Sequence, residues 1–392
     1  MTEKIYYRDP YARKINARVL DHRQKEGEHW LLLDQTLFYP GGGGQLPDKG
    51  RISGKPLEEI REKDGQIWHK VALAKEDAAV GSTVALELDW AYRYYQMQQH
   101  SGQHLLSAVL HAHGYPTVSV HLGENYTLIE TEGAQLENAL LRQIEAEVQE
   151  RIAQALPIVI HYVAREEVAS FALRRPPGDF ETLRIVEIKD YDYSACGGIH
   201  VARISEIGLI KILGSERIRG HVRIKAVIGG RAFEYVDELH QVNLLLREKL
   251  NTDHLQFNDR IVQMQEEIGY LKKLAKFYDK YFVRYESTQL ANEAEEDLIV
   301  TRLENGEQHD AAEIAKKLSK DFGKVAFVQF DRRFYLSSPA QNVLDTIKFL
   351  KEQADVLEIK GGGPQGFCQG VMQKNNLEEI GLALRNYMAK HA

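Results

Sequence analysis

Two short motifs, far apart in the chain, constrain its folding more than anything else in it. His100-Ser-Gly-Gln-His104 lies in Trp90 to His113, a stretch with few breakers and a helical period of apolar residues such as Met97, Leu105, Ala108 and Val109. Residues four apart on a helix lie one above the other, so both imidazoles can reach one ion. Cys196-Gly-Gly-Ile-His200 adds a thiolate and a third imidazole from a turn that its glycines permit. One cysteine and three histidines form a nitrogen and sulfur donor set that suits zinc better than magnesium or calcium. If the four share an ion, a helix and a distant turn must meet. Each half alone is a weak signal in a chain with 15 histidines. In a second reading Cys196 is a nucleophile with His200 or His104 as its base. Chelator sensitivity with resistance to thiol alkylation marks the first reading, and the reverse marks the second. No glutamate follows His100, so the HExxH pattern of a metalloprotease is absent. His111, His113 and His121 are read as surface or core histidines, and Cys368 as a small buried residue.

A chain of 392 residues exceeds one core and points to two or three domains. Its two cysteines exclude a disulfide framework, and a reducing cytoplasm is the expected compartment. No apolar run suits a membrane span, and the start lacks the apolar core of a signal peptide. The net charge of −7 argues against non-specific coating of nucleic acid. It does not exclude a local basic face. Between Val201 and Arg231, Arg203, Lys211, Arg217, Arg219, Arg223, Lys225 and Arg231 stand against only Glu206 and Glu216.

Four segments follow. Residues 1–90 read as β-rich, a small barrel or twisted sheet, with a strand from His29 to Phe38 running into Gly41 to Gly44. Residues 91–230 read as an α+β core: helices over 90–113 and 136–155, then strands over 158–163, 182–188, 209–213 and 222–228. Residues 231–290 read as helical. There Phe257, Ile261, Met264, Ile268, Leu271, Ala275, Tyr278 and Phe282 form a heptad seam, a helical hairpin or coiled-coil linker whose alternative is a pair of ordinary amphipathic helices. Residues 291–392 read as an α/β domain. Its strands are expected over 298–303, 324–330, 333–337 and 356–360, and its helices over 309–319 and 343–354.

The loop Tyr39 to Gly50 does not have the spacing of a P-loop. Four glycines in a row let backbone approach a ligand closely, and Gln45 and Asp48 stand beside them. The order Phe38-Tyr39-Pro40, Gly43-Gly44-Gln45, Asp48, His100-x-x-x-His104-Leu-Leu, Cys196-Gly-Gly-x-His200-Val resembles the editing domain of alanyl-tRNA synthetase. It resembles still more closely the free-standing AlaX-type alanyl-tRNA editing proteins. Ile207-Gly208 and Ile210-Lys211-Ile212 continue the match. The tail, with Gly361-Gly362-Gly363 and Gly370, is similar to the DHHA1 domain of the family's long form, so the resemblance covers nearly the whole chain. No ATP-binding aminoacylation domain precedes the first motif, which argues against a synthetase.

The resemblance implies a hydrolase that cleaves the ester joining serine, or glycine, to the 3′ end of alanine tRNA. It implies one zinc on His100, His104, Cys196 and His200. Gln45, His100 and His104 are then the catalytic candidates. Gly43, Gly44, Gln45 and Asp48 become the candidates for binding the aminoacyl-adenosine end. Arg217, Arg219 and Arg223 and the Gly361-Gly362-Gly363 loop are candidate tRNA contacts. A homodimer through the helical linker or the C-terminal domain is a further expectation, with an intramolecular partner for the seam as its alternative. The sequence departs from the family pattern in two places. Gly41 and Gly42 stand where many relatives carry Thr or Ser, which puts serine selection in question, and Ile199 replaces a common Thr. With all four side chains on zinc, the ion organises the pocket; with one loose, it lowers the pKa of a bound water. A zinc-stabilised RNA-binding module without catalysis is the non-enzymatic alternative.

Overall fold

A computed structural model describes residues 2–25, 27–133, 135–176, 178, 180–339 and 343–391. The chain divides into two compact units, Met1–Leu245 and Leu246–Ala392.

The first unit opens with β1 (Glu3–Lys4) and the single turn α1 (Ile5–Arg8). There follow β2 (Lys14–Lys25), β3 (Glu28–Leu33), β4 (Gln35–Thr36), β5 (Gly50–Ile52), β6 (Lys55–Lys63), β7 (Gln66–Val71) and β8 (Thr83–Leu88). Strands β2, β3, β7, β6, β5 and β8 close into a barrel in that order. Period-two alternation explains the closure. On β8, Val84, Leu86 and Leu88 are buried and Thr83, Ala85 and Glu87 are exposed. The strand expected over 29–38 is two pieces, because the chain breaks pairing at Asp34 before β4 pairs in parallel with β1.

Helix α2 (Trp90–Ala112) starts where Asp89 accepts a hydrogen bond from Tyr92 N at 3.1 Å. It stops before Gly114, whose φ is 83°. From Gln99 to Leu110 every residue is buried, so the helix runs through the core rather than along its surface. Strands β9 (Thr117–Leu122) and β10 (Thr127–Thr131), helix α3 (Asn138–Ala153), and strands β11 (Ile158–Ala164), β12 (Thr182–Ile188), β13 (Asp192–Ala195), β14 (Ile210–Ile218) and β15 (His221–Ile228) complete this part. They form two antiparallel sheets, β14-β15-β10-β9 and β11-β12-β13. Barrel residues such as Leu31, Leu33 and Val84 share one core with Met97, Leu105 and Val109 of α2 and Ile224 of β15. The change of architecture near residue 90 therefore falls inside a single unit.

Helix α4 (Gly230–Leu250) carries the division between units. The second unit holds α5 (Phe257–Glu293), β16 (Leu298–Arg302), α6 (Gln308–Phe322), β17 (Val325–Phe330), β18 (Arg333–Ser337), α7 (Thr346–Gln353), β19 (Ile359–Gly362), β20 (Phe367–Met372) and α8 (Leu377–His391). Its sheet runs β16-β17-β18-β20-β19, with β16 and β17 parallel and the other pairs antiparallel. Val325 and Phe327 of β17 face one core and Ala326 and Val328 the other, which is why this strand is apolar without alternation.

Two expectations here need correction. The strand expected over 356–360 begins only at Ile359, because Val356 is 74 % exposed and Glu358 turns the chain at φ 50°. The helix expected from 343 begins at Thr346, where Asp345 accepts from Ile347 N and Lys348 N at 3.1 and 3.0 Å. Along α5, Ile261, Ile268, Leu271 and Tyr278 of the heptad seam are 42, 49, 51 and 61 % exposed. Among the described residues no helix is long and apolar enough to cross a membrane.

Candidate metal centre and the cavity beside it

The glycine loop positions the first piece of the site. Gly41 to Gly44 all adopt positive φ, at 87, 139, 58 and 89°. Gly42 and Gln45 exchange backbone hydrogen bonds, each 3.0 Å, so Gly43 and Gly44 form the tip of a tight turn. The run of four thus follows from backbone geometry. The turn directs Gln45, which is 3 % exposed, inward toward α2. Its Oε1 lies 2.7 Å from His100 Nδ1 and accepts from Ile199 N at 2.8 Å.

His100 and His104 occupy one face of α2, as their spacing implies. The Cys196 turn closes over them. Gly198 is required there, since a Cβ would stand 2.0 Å from His100 Cε1 and 2.7 Å from Gln45 Oε1. Arg184, on β12, donates to the carbonyls of Cys196 at 2.7 Å and Gly198 at 2.9 Å. Tyr7 donates to Gly197 O at 2.8 Å. The donor atoms of His100, His104, Cys196 and His200 all lie within 4.8 Å of one another.

Each ring is prepared for a cation. The Gln45 carbonyl takes the Nδ1 proton of His100 and leaves its Nε2 lone pair facing Cys196 Sγ, 3.3 Å away. Ser101 Oγ stands 3.1 Å from His200 Nδ1 and, as an acceptor there, would leave the Nε2 lone pair of His200 for an ion. His200 Nε2 and His104 Nδ1 are buried with no hydrogen-bond partner among the described residues. Buried nitrogens rarely lack partners, and a metal ion explains these two. Burial pushes the His100 pKa down to about 3 and those of His104 and His200 well below the usual range, so all three rings are neutral ligands at neutral pH. The donor set and its orphaned nitrogens fit zinc.

The thiol reading fares worse. The ring in hydrogen-bonding contact with Cys196 is that of His100, whose Nε2 lies 3.3 Å from Sγ. Burial raises the Cys196 pKa while it lowers that of His100, the opposite of what activates a thiolate.

His100, His104, Cys196 and Gly43 border a cavity of about 450 Å³, with Gln103, Thr117, Arg174, Arg175 and Ser194 among its other walls. Asp48 takes no part in it, which corrects the sequence reading. It is 5 % exposed and bound by Arg93 Nε at 2.8 Å, by a second Arg93 contact and by Tyr39 N at 2.5 Å, so its oxygens are committed. Gln45 also stands behind His100, against its Nδ1, instead of in the cavity wall. Gly44 packs against β9, its hypothetical Cβ 3.7 Å from Val120 O. Arg184, Ser101 and Arg93 were not singled out in the sequence. Ser101 had a signal, its place beside His100.

The remaining candidates lie elsewhere. Arg223 is paired with Glu130 at 2.6 Å and Glu216 at 3.4 Å, so it is not a free phosphate ligand. Arg217 and Arg219 are exposed at the tip of the β14–β15 hairpin, where Arg219 and Gly220 turn the chain at φ 48 and 83°. Gly361, Gly362 and Gly363 border a cavity of about 640 Å³ in the second unit. Gly361 and Gly363 are also dictated by packing, since a Cβ would meet Gln369 O at 2.4 Å and Phe367 O at 2.3 Å. Cys368 is buried, and His113 is spent on Glu147 at 2.8 Å.

Residues 183–225, which include the Cys196 turn, match the family described as Threonyl and Alanyl tRNA synthetase second additional domain. Residues 4–92 match the family described as tRNA synthetases class II (A). The alanyl-tRNA editing protein AlaX-L of Pyrococcus horikoshii is 31 % identical, and the alignment covers 98 % of each chain. The chain belongs to the AlaX-type alanyl-tRNA editing proteins. Alanyl-tRNA editing protein Aarsd1 of Danio rerio is 30 % identical over 62 % of this AlaX-type chain and 59 % of its own. An alanine–tRNA ligase of Methanococcus vannielii is 29 % identical, covering 94 % of this chain and 42 % of the ligase.

Proposed function

We propose that this chain hydrolyses the aminoacyl ester of mischarged alanine tRNA, releasing serine and, in second place, glycine, in the compartment of translation, the cytoplasm. The observation that carries the reading is the convergence of three imidazoles and a thiol, of which His100, His104 and Cys196 line a cavity wall completed by the bare backbone of Gly43. An aminoacyl ester is already activated. The site needs to orient it, admit a water and meet the charge that develops on the carbonyl oxygen. Zinc held by His100, His104, Cys196 and His200 would tie α2 to the Cys196 turn and organise the pocket, and would supply Lewis acidity only with one of the four ligands released. Gln45 fixes the ring of His100, and Arg184 fixes the turn. Gly43 lets the terminal ribose approach backbone without a side chain between. Arg175, exposed at the rim of the same cavity, together with Arg217 and Arg219 of the hairpin, suits the tRNA phosphates. The Gly361-Gly362-Gly363 cavity is a second candidate for the tRNA.

Purified protein mixed with Ser-tRNA, Gly-tRNA and Ala-tRNA, all made on alanine tRNA, tests this. Serine is expected to be released and alanine spared. Gln45→Ala should slow serine release about 10- to 100-fold, the usual cost of losing a partner that orients a metal-bound histidine. Binding of tRNA without turnover would replace the proposal by the RNA-binding module.

The exposed seam of α5 supports a homodimer through the helical segment, since an uncovered stripe of this length favours a second copy. Light scattering should give twice the mass of one chain, and Ile268→Glu with Leu271→Glu should return it to one. A wild-type monomer at tens of micromolar would rule the dimer out.

A further inference from the structure

The loop that carries a hydroxyl in many relatives has none here, since Gly41 and Gly42 have no side chains. Two residues that carry hydroxyls, Thr117 and Ser194, border the cavity among the described residues. Ser194 Oγ is engaged, by Arg174 Nη2 at 2.8 Å and by Asp192 Oδ2 at 3.2 Å. Gln103, another polar wall, spends its Nε2 on Ser107 Oγ at 2.8 Å. Thr117 Oγ1 is buried and finds no hydrogen-bond partner among the described residues.

Its placement comes from a bulge at the start of β9. Ser119 pairs with Glu130 and Thr117 with Thr131, so Val118 is the extra residue. A bulge re-aims the side chains on either side of it. Arg175, itself at the rim of the cavity, donates to Val118 O at 3.1 Å and holds the bulge. The same strand backs the glycine turn through Val120, so Thr117 shares a wall with Gly43 and the Cys196 turn.

We propose that the Thr117 hydroxyl recognises the side-chain hydroxyl of serine on the mischarged tRNA. The assignment rests on the deacylation reading above. A covered hydroxyl without a partner is unfavourable in the free protein. Serine supplies the missing hydrogen bond once a rotation of Thr117 about χ1 to another staggered position brings Oγ1 to the cavity. Alanine and glycine supply nothing, and a site built for a hydroxyl penalises ligands that lack it. The polar group that discriminates has moved from the glycine loop to the strand packed against it.

The test uses the full-length, metal-loaded protein with Thr117→Val, which keeps the shape and removes the hydroxyl, and Thr117→Ser, which keeps the hydroxyl. Metal content and melting temperature serve as folding controls. Under single-turnover conditions Thr117→Val should slow serine release by about tenfold or more, and slow glycine release by much less. Thr117→Ser should hold serine release near the wild-type rate. Serine and glycine release falling in parallel, or serine release unchanged in Thr117→Val, would overturn the assignment. Wild-type protein that releases neither amino acid would remove the deacylation reading, and the role of Thr117 with it.

Discussion

Cys196→Ala should yield a folded chain that has lost its metal. The turn around Cys196 is held independently, by Arg184 on the carbonyls of Cys196 and Gly198 and by Tyr7 on Gly197. Cys196 is only partly buried and lies outside the apolar core, so its truncation leaves little cavity. What disappears is the single anionic ligand. Three neutral imidazoles remain, those of His100 and His200 in contact with Gln45 and Ser101, and three nitrogens without the thiolate bind zinc far more weakly. Loss of a mere orienting partner costs roughly 10- to 100-fold in metal affinity, so loss of a ligand should exceed about 100-fold. Metal analysis of purified protein, with competition by a chromogenic chelator, reads this directly. His104→Ala should behave likewise. One zinc per chain in both variants would dissolve the proposed centre.

The second large effect concerns stability and comes from Asp48. Arg93, in the first turn of α2, is fully buried and bound to Asp48, Leu37 O at 2.6 Å and Pro10 O at 2.9 Å. Asp48 is 5 % exposed and also takes the amide of Tyr39. The pair therefore ties the segments flanking the barrel strands to the helix that carries His100 and His104. Asp48→Ala leaves a guanidinium in the core with no counter-charge, a change that costs about 3–5 kcal/mol. Because the chain has two units, the loss should appear in the denaturant transition of the first unit alone. Replacing both residues, Asp48→Leu with Arg93→Met, should recover part of it, since no unpaired charge remains. A destabilisation under about 0.5 kcal/mol in Asp48→Ala would mean that water reaches the pair.

These two residues show where the sequence could and could not be read. His100 and His104 were legible because a helical period fixes which side chains share a face. The Cys196 turn was legible because two glycines directly after a ligand permit tight backbone. Asp48 looked like a ligand for substrate because it stands beside a glycine loop. Its true partner is Arg93, 45 positions away, and nothing in either residue's neighbourhood announces that pairing. Arg223 misled in the same manner: within its own stretch it belongs to a basic run, but β10 brings Glu130 opposite it. Pairings between strands distant in sequence decide which charges are free, and one chain does not display them. The glycine run gave the opposite lesson. It suggested ligand approach, and backbone geometry alone accounts for all four positions, while Gly43 still borders the cavity.

The central claim is that the four ligands serve one deacylation site. Serine release from Ser-tRNA made on alanine tRNA, measured on metal-stripped protein as zinc is returned, tests it most directly. The account predicts negligible release from the stripped protein and recovery that saturates at one zinc per chain, with Ala-tRNA spared throughout. Full serine release by protein shown to hold no metal would contradict it.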